Sequence, residues 1–258
     1  MEAKYVDNIS SVDFSESSSQ SDSEPEAKII TVIPAYNEEQ RISRVIKECY
    51  EFSDKVIVID DGSSDATSYV ASETGALVVK HKRNSGKGSA IRTAISVLKN
   101  FPAKVVVLID ADGQDNPVFI PKLVEPVLRG KADLVIGSRF TSGGLAGVPK
   151  HKIIGNRILT FFTNLFSGFS YRLKESQCGY RAIKRDIFLD LNLRGNGFEV
   201  DSEILLEAFK LKLRILEVPI KDKVVLEAIE KGTTILDGIK VVLSLFHLSM
   251  QKLLSSNS

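Results

Sequence analysis

Residues 104–112 read KVVVLIDAD and residues 55–62 read KVIVIDDG. Each is a run of aliphatic, mostly β-branched residues that stops abruptly at paired acids. Neither run alternates with polar residues, so both faces of the strand must be covered, as in a parallel sheet packed between helices. Working outward, similar runs predict strands over 28–33 (KIITVI, stopped by Pro34), 76–79 and 133–137 (DLVIG). Between them the spacing turns helical. Ile42, Val45, Ile46 and Cys49 share one face of 38–52, and Ile91, Ala94, Ile95 and Leu98 share one face of 88–98. Ser63, Ser64 and Asp65 supply N-caps for a helix running to about residue 74, and 117–128 is helical. The alternation predicts a single α/β domain with a largely parallel sheet flanked by helices.

In such sheets ligands bind at the carboxyl ends of the strands. The notable residues fall there: Pro34-Ala35-Tyr36, Asp60-Asp61, Asp110-Ala111-Asp112 and Ser138-Arg139. A dinucleotide fold needs GxGxxG after its first strand, where this chain reads PAYNEE. A P-loop needs GxxxxGK[ST], and Ser85-Gly86-Lys87-Gly88-Ser89 does not supply it. What remains is an acidic set, Glu38, Asp60, Asp61, Asp110 and Asp112. Carboxylates converging on one cleft repel one another and call for a cation, and hard oxygen donors suit Mg²⁺ or Mn²⁺ with a substrate diphosphate completing the shell. Taken by themselves, Asp110 and Asp112 are equally turn-formers that cap the next element.

The 258 residues carry 34 bases and 33 acids, a net charge of +1, which argues against a general nucleic-acid binder. The average hides a split. Residues 1–28 hold eight serines and seven acids against Lys4 and Lys28, a charge of −5, and residues 1–27 read as a disordered acidic tail. The rest therefore carries +6, with nine bases and one acid, Glu175, between Arg139 and Arg185. Cys49 and Cys178 form no metal or disulfide pattern and read as free thiols. His81, His151 and His247 sit in no motif and read as surface or interfacial residues. No N-terminal signal and no apolar run of spanning length is visible, so the expected setting is cytoplasmic.

The blocks VIPAYNEE (32–39), VIVIDDGSSDAT (56–67), RNSGKGSAIRTA (83–94), VVLIDADGQDNP (106–117), DLVIGSRF (133–140), GNRILTFFTNLFSG (155–168), ESQCGYRAIKRDIF (175–188), GFEVDSEILLEAF (197–209) and EVPI (217–220) occur in one order. In that order they resemble the family 2 glycosyltransferases of GT-A fold, and more narrowly the dolichyl-phosphate (polyprenyl-phosphate) mannosyl- and glucosyltransferases. The resemblance implies a domain over 28–232 that moves a sugar from a nucleotide-diphosphate sugar, of the GDP-mannose or UDP-glucose/UDP-GlcNAc type, to a polyprenyl phosphate with inversion. It implies that Pro34, Ala35, Tyr36 and Glu38 line the base and ribose pocket, that Asp60 with Asp61 reads the base, and that Lys87 and Ala111 lie near the nucleotide. Asp110 and Asp112 become the DxD pair, with Asp110, Asp112 and Gln114 as metal ligands and Asp112 the most direct of them, and Arg139 sits near a donor or acceptor phosphate. The resemblance also implies a peripheral place on the cytoplasmic face of a membrane.

The same block usually opens with Asp where this chain has Glu175, so Glu175 either binds the donor sugar or orients Arg181. An alternative keeps the donor but transfers to a carbohydrate or glycolipid hydroxyl with Glu175 as base. A sugar-1-phosphate nucleotidyltransferase would need a GxGTR loop that PAYNEE does not supply, and a dead scaffold fits poorly with intact DxD and GSR blocks. Between 153 and 169, Ile154, Ile158, Leu159, Phe161, Phe162, Leu165, Phe166 and Phe169 form a wide apolar stripe flanked by Lys150, Lys152, Arg157 and Arg172. It is either a core helix at the domain edge or an interfacial one that holds a polyprenyl phosphate on Arg139, Lys152, Arg157 and Arg181. Residues 233–258 offer a second amphipathic segment. After EVPI the family's usual continuation is absent.

Overall fold

The computed structural model describes residues 4–6, 27–141, 150–167 and 170–221. The predicted strands are all present: β2 (Ala27–Ala35), β3 (Lys55–Asp60), β4 (Leu77–His81), β5 (Ala103–Leu108) and β6 (Leu134–Ser138). Between them run α1 (Ile42–Tyr50), α2 (Thr67–Glu73), α3 (Lys87–Leu98) and α4 (Ile120–Leu128), the last preceded by a short 3-10 turn capped by Asn116. The cap expected among residues 63–65 is not formed: Ala66 holds the N-cap position of α2 without a side-chain bond, and Asp65, one residue earlier, accepts from the Thr67 N–H at 3.0 Å.

Three further strands complete the sheet. They are β1 (Lys4–Val6), β7 (Arg181–Lys184) and β8 (Ile215–Pro219), with α5 (Lys150–Phe166) ahead of β7 and α6 (Arg185–Asp190) and α7 (Val200–Lys210) after it. The described residues form an eight-stranded sheet in the order β1-β4-β3-β2-β5-β7-β6-β8. Every neighbouring pair is parallel except those of β7, which runs antiparallel to both β5 and β6. With only RAIK to its length, β7 has no apolar run that a sequence reading could find. Lys4–Val6 lies within the acidic tail expected to be disordered, yet pairs with β4 as a parallel edge strand. The rest of that tail, residues 222–232 and the amphipathic segment 233–258 lie outside the described residues.

The strand runs are apolar because they are covered on both faces. Val56 to Ile59 of β3 and Val105 to Val107 of β5 are completely buried. Helix α1 turns Ile42, Val45, Ile46 and Cys49 onto the sheet, and α4 turns Ile120, Leu123, Val124 and Val127. Pro34 does not stop β2, which runs on to pair Ala35 with Asp60. The Ala35 carbonyl accepts from Asp61 on the β3 side, so the position lacking an N–H faces β5. There the ladder has already ended at Val32, and the proline breaks no bond.

This topology brings the carboxyl ends of β2, β3, β5 and β6, and the start of β7, to one edge. Ile57 sits completely buried on β3, between β4 and β2, in the sheet that sets this edge. Ile57→Ala is expected to lower the unfolding free energy by about 2–5 kcal/mol, seen as a lower urea midpoint at an unchanged m value.

Candidate active site

Two loops at the β2 and β3 ends are knitted together. Asn37, with φ of 54°, donates its backbone N–H to the Ser63 hydroxyl at 2.9 Å and accepts from the Ser64 N–H on its own side chain. The Glu38 N–H donates to the Thr67 hydroxyl at 2.8 Å, and Glu39 accepts from the Ala66 N–H. Much of PAYNEE and DDGSSDAT is therefore loop construction. Tyr36 stands at the rim, 45% exposed, above half-buried Pro34 and buried Ala35.

Asp60 and Asp61, expected to read the base, lie below the surface. Asp60 is completely buried and accepts from the Ser63 N–H at 2.8 Å and from the Ser68 hydroxyl. Asp61 accepts from the N–H groups of Ser85, at 3.0 and 3.1 Å, and of Gly86, at 2.6 Å, and pairs with His81 Nδ1 at 2.7 Å. His81 is thus no surface residue. Its other nitrogen meets the Thr93 hydroxyl at 2.8 Å, tying the loop to α3. Gly62 lets this happen: at φ +76° it leaves a space in which a Cβ would lie 2.4 Å from the Arg83 carbonyl carbon.

Beside this wall stands the acidic centre. Lys87, first residue of α3, places Nζ 2.8 Å from Asp110 Oδ1, 3.1 Å from Oδ2, and 3.2 Å from Asp201 Oδ2 on α7. Burial would pull this ammonium down, but the carboxylates of Asp110 and Asp201 hold it above the ordinary lysine range. Asp112 accepts from both the backbone N–H and the side-chain amide of Gln114 at 2.9 Å. Burial, with the neighbouring charges of Asp110 and Glu38, pushes its carboxyl up to about 6 against the opposing pull of the Gln114 N–H and Lys87. Ala111 between the two acids is buried. Glu38, also buried, accepts from Arg41 at 2.9 Å.

Among the described residues no three His, Cys, Asp or Glu side chains converge as a closed metal cage. Asp112 and Asp110 form an open oxygen set with excess negative charge, beside the Gln114 amide. That suits a divalent cation such as Mg²⁺ or Mn²⁺, which leaves positions for water and diphosphate.

The third group forms around Glu175, completely buried. It accepts from the Arg139 N–H at 2.7 Å, from Arg139 Nε at 2.8 Å and from Nη2, and from Asn156 of α5 at 3.1 Å. Glu175 thus orients Arg139. Glu217 on β8 anchors this loop by accepting from the N–H groups of Lys174 and Glu175, each at 2.9 Å. Burial, together with the charge of Glu175, pushes the Glu217 carboxyl above its usual range. Arg157 stacks its guanidinium over Phe140, 5.8 Å from the ring centre, next to Arg139 in the chain. The side chain of Lys152 lies outside the described residues.

Arg181 departs from expectation. It is completely buried, and its guanidinium donates to the backbone carbonyls of Cys178 at 2.8 Å, Asp201 at 2.6 Å and Ser176 at 2.9 Å. It braces the 176–178 loop against α7 and offers no exposed group to an acceptor phosphate. The reason is topological: Arg181 opens β7, an interior strand. Asp201 and His81 were not singled out by sequence reading. Asp201 carried a signal, an acid at a helix start inside the GFEVDSE block; His81 carried none.

The sheet, with acids at its carboxyl edge and an oriented arginine across from them, defines a nucleotide-sugar glycosyltransferase of GT-A fold. Residues 30–191 match the model of the family described as Glycosyl transferase family 2. An uncharacterized protein of Methanocaldococcus jannaschii is 37% identical over 230 residues, covering 88% of this chain and 93% of that protein. The UDP-N-acetylglucosamine–dolichyl-phosphate N-acetylglucosaminyltransferase of Methanococcus voltae is 33% identical over 247 residues, covering 88% and 98%. The crystal structure of glucosyl-3-phosphoglycerate synthase from Mycobacterium tuberculosis, in complex with Mn²⁺, UDP-glucose and phosphoglyceric acid, superposes with a TM-score of 0.65. It is 26% identical and covers 85% of this chain and 79% of that one. The chain belongs to glycosyl transferase family 2 and is a glycosyltransferase acting from a nucleotide sugar.

Arg181→Met removes the buried donors from the Ser176 and Cys178 loop carbonyls and from the Asp201 carbonyl on α7. Its expected effect is a loss of stability on the order of 3 kcal/mol, read by denaturant unfolding, where loss of a mere acceptor contact would leave stability unchanged.

Proposed function

We propose that this enzyme transfers a hexose from a UDP-sugar, with inversion, to a polyprenyl phosphate such as dolichyl phosphate at a membrane surface. The observation that carries the reading is helix α5, whose amphipathicity is inverted. Its polar residues face inward: Thr160, Thr163 and Asn164 are buried, Thr160 bonds Ser176, and the Asn164 side chain bonds both the N–H and the carbonyl of Leu173 at 2.8 Å. Its apolar residues face outward, with Ile154, Ile158, Phe161 and Leu165 between 46% and 57% exposed. A helix satisfied in this way inside cannot be turned over, and its outer stripe fits the acyl boundary of a bilayer. Among the described residues no helix is long and apolar enough to cross a membrane, and surface attachment through α5 matches that. The core-helix alternative for this stripe does not fit its exposure.

The chemistry follows from the residues. A lipid phosphate is already an anion, so its oxygen attacks the anomeric carbon directly while the bond from that carbon to the diphosphate oxygen breaks, the electron pair leaving with the nucleoside diphosphate. Arg139, fixed by Glu175, presents its charge at the acceptor side next to Arg157. Glu175 is fully engaged with Arg139 and Asn156, which favours a phosphate acceptor over a hydroxyl that would need this carboxylate as a base. Asp110, Asp112 and Gln114 would hold Mg²⁺ or Mn²⁺, which when bound offsets charge growing on the departing diphosphate. Tyr36, at the rim with Pro34, Ala35 and Glu38 beneath it, lines the nucleotide side. A UDP donor is supported by the name of the Methanococcus enzyme and by the UDP-glucose bound in the Mycobacterium structure, and a dolichyl phosphate acceptor by the former.

With radiolabelled UDP-sugars, dolichyl phosphate and Mn²⁺, the expected product is a lipid-linked sugar cleaved by mild acid. Asp112→Ala should cut turnover by about 100-fold or more, and full turnover would sink the metal assignment. Because Asp112 must be ionised to hold the cation, apparent Mn²⁺ affinity measured by calorimetry should fall as pH drops through about 6. Replacing Ile158 and Phe161 together by Asp should weaken binding to anionic vesicles by about tenfold or more while nucleotide binding and thermal stability stay unchanged.

A further inference from the structure

Lys87 is held between two acids from opposite sides of the cleft, and only one of them belongs to the DxD pair. Its Nζ lies 2.8 Å from Asp110 Oδ1 and 3.2 Å from Asp201 Oδ2. Asp201, on the first turn of α7, is 6% exposed. The ammonium has little room to go elsewhere, since a Cβ on Gly179 would stand 2.7 Å from it. The loop carrying Lys87 is equally fixed, with the Gly86 N–H on Asp61 at 2.6 Å and the Gly88 N–H on the Asn196 carbonyl at 2.7 Å. Asp201 is itself located by its backbone, whose carbonyl accepts from buried Arg181.

We propose that Asp201 is a positioning residue that shares Lys87 with Asp110, and so keeps Asp110 available to a divalent cation. An ammonium lying wholly on Asp110 would neutralise that carboxylate and compete with the cation for it. A second acid on the far side draws part of the charge away without removing it from the cleft. Asp201 acts through Lys87, and its worth to cation binding vanishes when Lys87 is gone. The inference rests on the glycosyltransferase reading for its consequence in turnover, but the binding of metal alone tests it without any sugar acceptor.

The experiment titrates Mn²⁺ into the full chain without nucleotide, followed by electron paramagnetic resonance of the free ion, for wild type, Asp201→Asn, Lys87→Met and the double variant. Asp201→Asn is expected to weaken Mn²⁺ binding by about fivefold or more, and Lys87→Met to strengthen it at least about twofold. In the Lys87→Met background the Asp201 change should alter affinity by less than about twofold, the non-additivity expected of coupled residues. An equal loss in both backgrounds, or weaker binding by Lys87→Met alone, overturns the proposal. Should Asp201→Asn fail to fold, Asp201→Ser replaces it in the same cycle, because Arg181 bonds the backbone of residue 201 and not its side chain. A protein that gives this pattern yet transfers no sugar to dolichyl phosphate keeps the inference and loses the acceptor assignment. One that transfers sugar without the coupling does the reverse.

Discussion

The carboxylate of Asp61 holds the site edge of the sheet together. Strands that end side by side bring their terminal acids close, and a buried carboxylate is tolerated only when its oxygens are filled by donors. Asp61 is filled by two N–H groups of the 85–86 turn and by His81. That turn leads directly into Lys87, so the lysine's position is inherited from the bond to Asp61. Lys87 in turn fixes Asp110, just past the end of β5, and meets Asp201 on α7. One carboxylate thereby sets the spacing among three walls of the cleft.

The opposite side is organised by the same rule. Glu217 pins the loop that carries Glu175, Glu175 clamps Arg139, and Asn156 joins that clamp from α5. The guanidinium is thereby held in one orientation by Glu175. Because α5 uses its polar face for this task, its apolar face is left outside. The helix that exposes an apolar stripe to solvent is the same helix that steadies the arginine through Asn156.

Much of this was legible in the order of residues. Continuous apolar runs such as KVVVLI leave no choice but burial on both faces, and the stops at Asp60-Asp61 and Asp110-Ala111-Asp112 mark the edge where ligands gather. The ordered blocks carry the family. The residues misread are those whose role depends on a neighbour distant in sequence. Arg181 looked like one more base in a basic stretch, but it opens a short strand inserted between β5 and β6, and burial turns it inward onto carbonyls. His81 sits in no motif, and only the approach of Asp61 and Thr93 gives it work.

The sequence by itself determined five strands of the sheet, the acidic edge and the glycosyltransferase family, because hydrophobic periodicity and short motifs are local and survive without coordinates. Which charges face the cleft and which are sealed as struts was decided by the tertiary structure alone. A carboxylate or guanidinium reads the same in sequence whether it meets solvent, a ligand or a backbone, and only packing settles which partner fills it. The inverted face of α5 belongs to the same class. Its stripe was visible as a period, but which side faces the protein depended on Ser176, Leu173 and Glu175 waiting to bond its polar residues.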